Sequence, residues 1–361
     1  MSTMMSSKPH YYWLDLLRFL AAFLVLICHS RGDFFVPYDE LPSSQQGIIP
    51  FAFYTITRLG HEAVIIFFVL SGFLVGGVGI QRLRDNNFNS KGYVIDRAVR
   101  IMLPLIASVL FYGIVCVIIS KPFDWICAIG NLFSLQGIFV DSLVSPFWSL
   151  SYEVWFYVTL FAIALMFKEK QGKRWIGLSL LFVCVLIFSC KLQPHYLLIW
   201  FMGAFFYLTK PKKFSALICW GSLALFIASI ALWQMSSASH SVQTIFKIDS
   251  TELIEVLLSI FFGLFIQQVI LLEPTRKWTK AIDNLGTKLA AFSYTLYLAH
   301  RIVFLPVYHF ITNKRAAQLD FAGISGWLLL VLSTMFVCWL LYLAFEKNTA
   351  RVKKYIKSKV L

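Results

Sequence analysis

Residues 61–80 read HEAVIIFFVLSGFLVGGVGI, and from Ala63 to Ile80 no residue is charged. An α-helix needs about 20 mostly apolar residues to cross a bilayer. This stretch therefore reads as a membrane span. The same rule places further spans near 13–30, 100–119, 147–167, 175–190, 194–209, 214–234, 252–272, 286–307 and 325–345. The expected fold is all-α: a polytopic membrane helical bundle of about ten transmembrane helices. Residues 123–138 are apolar but too short to span, which suits a re-entrant or interfacial helix.

Composition supports that reading. The chain has 361 residues, 59% hydrophobic, 17% aromatic and 14% charged, with a mean hydropathy of +0.73. A soluble domain carries about 25% charged residues, and a soluble chain this apolar would expose large sticky patches. The formal net charge is +14, yet the basic residues do not gather on one module as nucleic-acid binding requires. They lie in short runs between spans, at 82–100, 168–174, 210–213, 276–280 and in a tail at about 346–361. The alternate connections hold only Arg31, Arg58, Lys121, Lys191, Lys247, Arg301, Lys314 and Arg315. The positive-inside rule makes the richer side cytoplasmic, where it faces anionic lipid. Both termini are then cytoplasmic, as an even helix count also requires. The first span contains Asp15 and Arg18 and lacks a small-residue cleavage site, so it is expected to be retained. The seven cysteines show no zinc or redox spacing and read as small buried thiols. No internal repeat is apparent, and residues 1–361 read as a single membrane domain.

Ionisable groups at membrane depth are costly and usually face a cavity or the bundle interior. In WLDLLRFLAAFLVLICHS (13–30), Arg18 and His29 are eleven residues apart, so they share one helical face about 16 Å apart along the axis. Asp15 and Ala22 lie on the same stripe. The alternative is a snorkelling arginine and an idle histidine at a helix end. Arg97 and Arg100 share a face at the entrance of the third span, where two guanidiniums suit a phosphate-rich anion or ordinary positive-inside charge. Glu153 lies about two turns into FWSLSYEVWFY (147–157); Trp148, Trp155 and Tyr157 there also suit an interfacial aromatic belt. His300 ends SYTLYLAH (293–300) near the depth of His29. Gly72 and Gly76 form a small-xxx-small helix-packing pattern. Ser71 is a nucleophile in principle but lacks a strand–elbow–helix context. His61 and Glu62 lack a second histidine at metal spacing, and no metal site is expected. These groups fall in two layers: Arg18, Arg97 and Arg100 toward the cytoplasm, and His29, Glu153 and His300 toward the outside.

Taken in order, Arg18 with His29, FFVLSGFL (67–74), DRAVRIMLP (96–104), FWSLSYEVWFY and SYTLYLAH resemble the acyltransferase-3 family of bacterial membrane acyltransferases, many of which acetylate surface polysaccharides. The sequence GHEAV (60–64) departs from the family's commoner form. The resemblance implies about ten helices, a cytoplasmic acyl-CoA donor such as acetyl-CoA, and a hydroxyl of a surface or lipid-linked glycan such as O-antigen lipopolysaccharide as acceptor, in the bacterial inner membrane. By position, His29 would be the catalytic base, Glu153 the membrane-embedded acid, and Arg18, Arg97 and Arg100 the donor site. Some relatives carry an added hydrolase-like domain, and none is expected here. Asp15, Ser71, Tyr294 and His300 are accessory candidates, with Ser149, Ser151 and Tyr294 weighed as oxyanion donors. Glu153 or another acid is expected to orient the His29 ring. Phe34, Phe35 and Tyr38 in the loop at 31–60 are candidates for a sugar platform or a membrane anchor. Intramembrane Arg, His and Glu also mark proton-coupled transporters of anionic or sugar solutes, and an accessory role in a glycan-assembly complex is a third reading.

Overall fold

A computed structural model describes residues 11–168, 171–238, 250–310 and 319–360. Lys170, Lys247, Lys314 and Arg315 of the charge pattern lie outside the described residues. Helices α1 (Leu14–Phe34), α2 (Ile48–Thr57) and α3 (Gly60–Ser71) come first, then a π-helical turn (Gly72–Gly77) and α4 (Val78–Arg84). Helices α5 (Ser90–Ile118), α6 (Trp125–Leu132), α7 (Phe147–Lys168), α8 (Gln171–Cys190), α9 (Pro194–Leu208) and α10 (Ala216–Ala238) follow. The chain continues through α11 (Ser250–Val269), α12 (Lys277–Ala290), α13 (Ser293–Phe310), α14 (Phe321–Ala344) and α15 (Thr349–Val360). No β-strand occurs among the described residues.

Every expected span is helical. Among the described residues seven helices are long and apolar enough to cross a membrane, and the pair α12–α13, bent by 54°, makes an eighth if it is one span. Two expected spans fall short for different reasons. Helix α9 has only 15 residues, while α1 carries Asp15, Arg18, Arg31 and Asp33. The all-α, multi-pass membrane architecture is nevertheless plain. The expected loop at 31–60 is largely ordered as helix: α1 runs on to Phe34, and α2 joins α3 and α4 in one span from Ile48 to Arg84. Phe35 is 1% exposed and packs edge-on against Phe53, which removes it as a sugar platform. Helix α6 is short, as its length in sequence required, and Asp124 caps it by accepting from the Cys127 amide at 2.9 Å.

Helix α1 sits between two apolar clusters. Leu14, Ala21 and Val25 belong to the cluster of α3, α5, α7, α9 and α11. Phe19, Ala22 and Leu26 face Phe35, Leu296, Phe304 and Trp327 instead. Spacings of seven and four residues in the first set, and of three and four in the second, give two faces of one helix. Helices α8, α10 and α14 form the rim and leave Phe182, Trp220 and Leu329 exposed, as lipid contact requires.

The span containing α3 crosses α9 at glycines. A Cβ on Gly72 would strike the Trp200 carbonyl, and one on Gly203 would strike that of Val69. Small residues let membrane helices approach this closely, which bears out the packing role of Gly72. Gly203→Ala is expected to force the helices apart, at about 1–3 kcal/mol for an overpacked site. Thermal unfolding in detergent checks this, and an unchanged melting temperature would contradict it.

A buried polar knot ties α3, α9, α10 and α11. Glu255 accepts from His61 Nε2 at 2.7 Å and His195 Nε2 at 2.9 Å, and from Trp233 Nε1 at 3.3 Å. The His61 ring lies parallel to Trp233 and Trp148. No cluster of metal-ligating side chains occurs among the described residues.

Candidate active site

A cavity of about 250 Å³ opens inside the bundle, with Arg18, Ser71, Arg97, Arg100, Ser149, Glu153, Tyr157, Tyr294 and Tyr297 in its wall. Five helices supply these groups, so residues far apart in sequence converge on one space. Asp15 stands behind Arg18 at 3.2 Å, one turn away on α1. Arg97 lies over the Tyr157 ring, 5.7 Å from its centroid. Arg100 makes no hydrogen bond or ion pair among the described residues. Arg100 therefore presents its donors to the cavity.

Glu153 belongs with them. Its electrostatic neighbours are Arg100, Arg97 and Arg18, so it lies in the arginine layer rather than beside His29. A directed hydrogen-bond chain holds it. Trp200 Nε1 donates to Ser71 Oγ at 3.1 Å, and the Tyr157 hydroxyl donates to Glu153 Oε1. Ser71 Oγ, 3.0 Å from the Tyr157 oxygen, must then be the donor in that pair, because the phenol's single proton is spent. Ser71 is thus a link that positions Glu153, not an available nucleophile. Tyr157, read as part of an aromatic belt, is buried at the centre of this chain. Glu346, not singled out in the sequence, accepts from Thr295 N at 3.1 Å and Thr295 Oγ1 at 2.6 Å. Arg100 and Arg18 are also among its electrostatic neighbours.

The histidines form a second centre. His29 Nδ1 is 2.8 Å from His300 Nε2, and the rings are stacked at 5.1 Å. His300 Nδ1 is 3.0 Å from the Leu296 carbonyl. A carbonyl only accepts, so His300 carries its proton on Nδ1, and Nε2 of the neutral ring accepts from His29. That assignment leaves the lone pair of neutral His29 on Nε2, the state a general base needs. One turn farther along α1, Asp33 takes two hydrogen bonds from Arg301 at 2.9 and 2.7 Å. Two adjacent polar contacts therefore clamp α1 to α13. The orienting partner of His29 is His300, and Glu153, expected in that role, is elsewhere.

Tyr297 connects the two centres. It lines the cavity, its ring is 6.4 Å from that of His300, and it packs against Phe67 at 5.4 Å. Ser149 Oγ donates to the Pro146 carbonyl at 3.2 Å and so accepts from Tyr297. Ser151 points away, donating to the Ser134 carbonyl at 3.0 Å. The buried Tyr294 hydroxyl has no partner among the described residues, but it lies six positions before His300 on α13, about 9 Å of rise. None of these three hydroxyls is placed beside His29 with a free proton.

The family model described as an acyltransferase domain matches residues 11–343. No curated protein and no solved structure matches the chain.

Proposed function

The chain belongs to the acyltransferase-3 family, and from that premise we propose that this membrane acyltransferase moves an acyl group, with acetyl the favoured one, from cytoplasmic acyl-CoA to a hydroxyl of a surface or lipid-linked glycan. The compartment proposed is the bacterial inner membrane, with the Arg18 end of the bundle cytoplasmic. The observation that carries the reading is one continuous helix, α1, with Arg18 in an arginine-lined cavity and His29 in a tautomer-locked pair.

The donor's diphosphate lies against Arg18, Arg97 and Arg100, which offer charge-assisted hydrogen bonds in fork geometry. Its pantetheine arm runs along α1 and past Tyr297. The rise from Arg18 to His29 is about 16 Å, a span such an arm covers. The acceptor hydroxyl gives its proton to His29 Nε2 as its oxygen bonds to the thioester carbonyl carbon. Collapse of the tetrahedral intermediate breaks the carbon–sulfur bond. The imidazolium returns the proton to the departing thiolate, so the products are the acylated glycan and free CoA thiol.

The test uses sealed vesicles of known orientation, a panel of glycan acceptors and labelled acetyl-CoA on the cytoplasmic side. Label is expected in glycan with wild type and to vanish with His29→Ala. Equal labelling by both would remove His29 from the chemistry. No labelling by folded wild type, with several donors and acceptors, would move the assignment to a carrier or an accessory protein.

A further inference from the structure

A second cavity of about 250 Å³ adjoins the first, and Leu74, Val75 and Arg97 line both. Arg97 is thus the post between two successive chambers. The rest of the second chamber has its own chemistry. Tyr11, Tyr93 and Tyr207 give it aromatic walls, and Arg82 gives it a guanidinium. The Arg82 side chain makes no hydrogen bond or ion pair among the described residues, so its donors are uncommitted. Lys210 Nζ adds a cation at the rim. It lies 4.0 Å from the Tyr207 ring centroid and donates to the Tyr11 hydroxyl at 3.1 Å. The carboxylate in this wall, Asp96, is already answered by Lys353 at 2.6 Å and Lys357 at 2.7 Å, both from α15. An anion entering here meets unspent positive charge beside aromatic faces.

We propose that this chamber seats a phosphorylated nucleoside, the 3′-phospho-adenosine end of the acyl-CoA donor. The proposal rests on the donor assignment above and extends it to residues outside the first cavity. Arg82 takes the 3′-phosphate through its fork of donors. The adenine lies among Tyr11, Tyr93 and Tyr207, since base–aromatic stacking needs only a ring face. The diphosphate spans Arg97 into the first chamber, where Arg18 and Arg100 receive it. The consequence is selectivity for donors that carry the 3′-phosphate.

Two measurements decide this on the full-length protein. The first compares kcat/KM for acetyl-CoA and acetyl-dephospho-CoA, which differ only in the 3′-phosphate. Wild type is expected to favour acetyl-CoA by about tenfold or more through KM, the worth of one charge-assisted hydrogen bond. Arg82→Ala, an exposed position whose change breaks no internal contact, is expected to bring that preference close to one. Arg100→Ala is expected to weaken both donors alike and keep the preference. No preference in wild type, or an undiminished preference in Arg82→Ala, overturns the subsite; a lipid headgroup phosphate bound there would give the latter result. The second measurement is binding of adenosine 3′,5′-bisphosphate by calorimetry, which needs no turnover. Saturable binding weakened about tenfold by Arg82→Ala supports the subsite, and absence of binding by wild type overturns it. If neither thioester supports transfer while the bisphosphate binds, the acyl-transfer reading fails and the nucleotide subsite stands.

Discussion

His300→Phe is expected to lower kcat by about a hundredfold or more, the lower range of general-base catalysis, while donor KM stays near wild type. The phenyl ring keeps the packing against Phe304 and Tyr297 but offers no acceptor to His29 Nδ1. The His29 proton is then free to sit on either nitrogen, and the productive tautomer loses its lock. His29→Gln removes the proposed base itself and is expected to cost about 10²–10⁴ in kcat. His300→Gln still presents an acceptor oxygen and is expected to recover part of the loss. The split between kcat and KM separates this positioning role from a structural one, since the arginines proposed to hold the donor line a different space. Wild-type kcat in purified His300→Phe would show that the pair merely joins α1 to α13.

The second large effect concerns stability. Glu255 is 5% exposed and serves as acceptor for His61, His195 and Trp233. Glu255→Ala removes the acceptor that His61, His195 and Trp233 share at the meeting of α3, α9, α10 and α11. Breaking a buried pair by removing one partner costs about 3–5 kcal/mol, so the variant is expected to unfold in detergent well below wild type. Glu255→Gln keeps an acceptor oxygen and should fall between the two. Matching unfolding curves for all three proteins would mean that the knot adds nothing to the fold.

Both results turn on pairings that helical periodicity does not encode. The stripe of α1 was readable because Arg18 and His29 sit on one helix, where 100° per residue fixes their relation. The depth of His300 was readable for the same reason. Its partnership with His29 depends on α13 packing beside α1, a tertiary fact. The misplacement of Glu153 has the same origin. Its height on α7 was known but not its azimuth, and the azimuth turns it toward Arg18, Arg97 and Arg100. Some of what was missed did leave a trace: Tyr157 is four residues after Glu153, and Asp33 four after His29, the spacing of side chains that share a face. Glu346 and the Glu255 knot left no local trace, because their partners come from elements remote in the chain. The loop expected at 31–60 became helix because Phe35 and Phe53 find a core to enter, which local composition does not reveal.

The two-faced first helix has a consequence for how the protein is made. Between Arg18 and Arg31 the uncharged run of α1 is shorter than the roughly 20 residues that let a helix settle in a bilayer by itself. Its polar ends are answered by Asp283, which accepts from Trp13 N at 3.1 Å, and by Arg301, both in the last third of the chain. Helix α1 is therefore made before the groups that answer its Trp13 amide and its Asp33 carboxylate. His29 acquires its tautomer only when α13 arrives. A nascent chain in the membrane thus holds His29, the proposed base, before it holds the partner that fixes its tautomer.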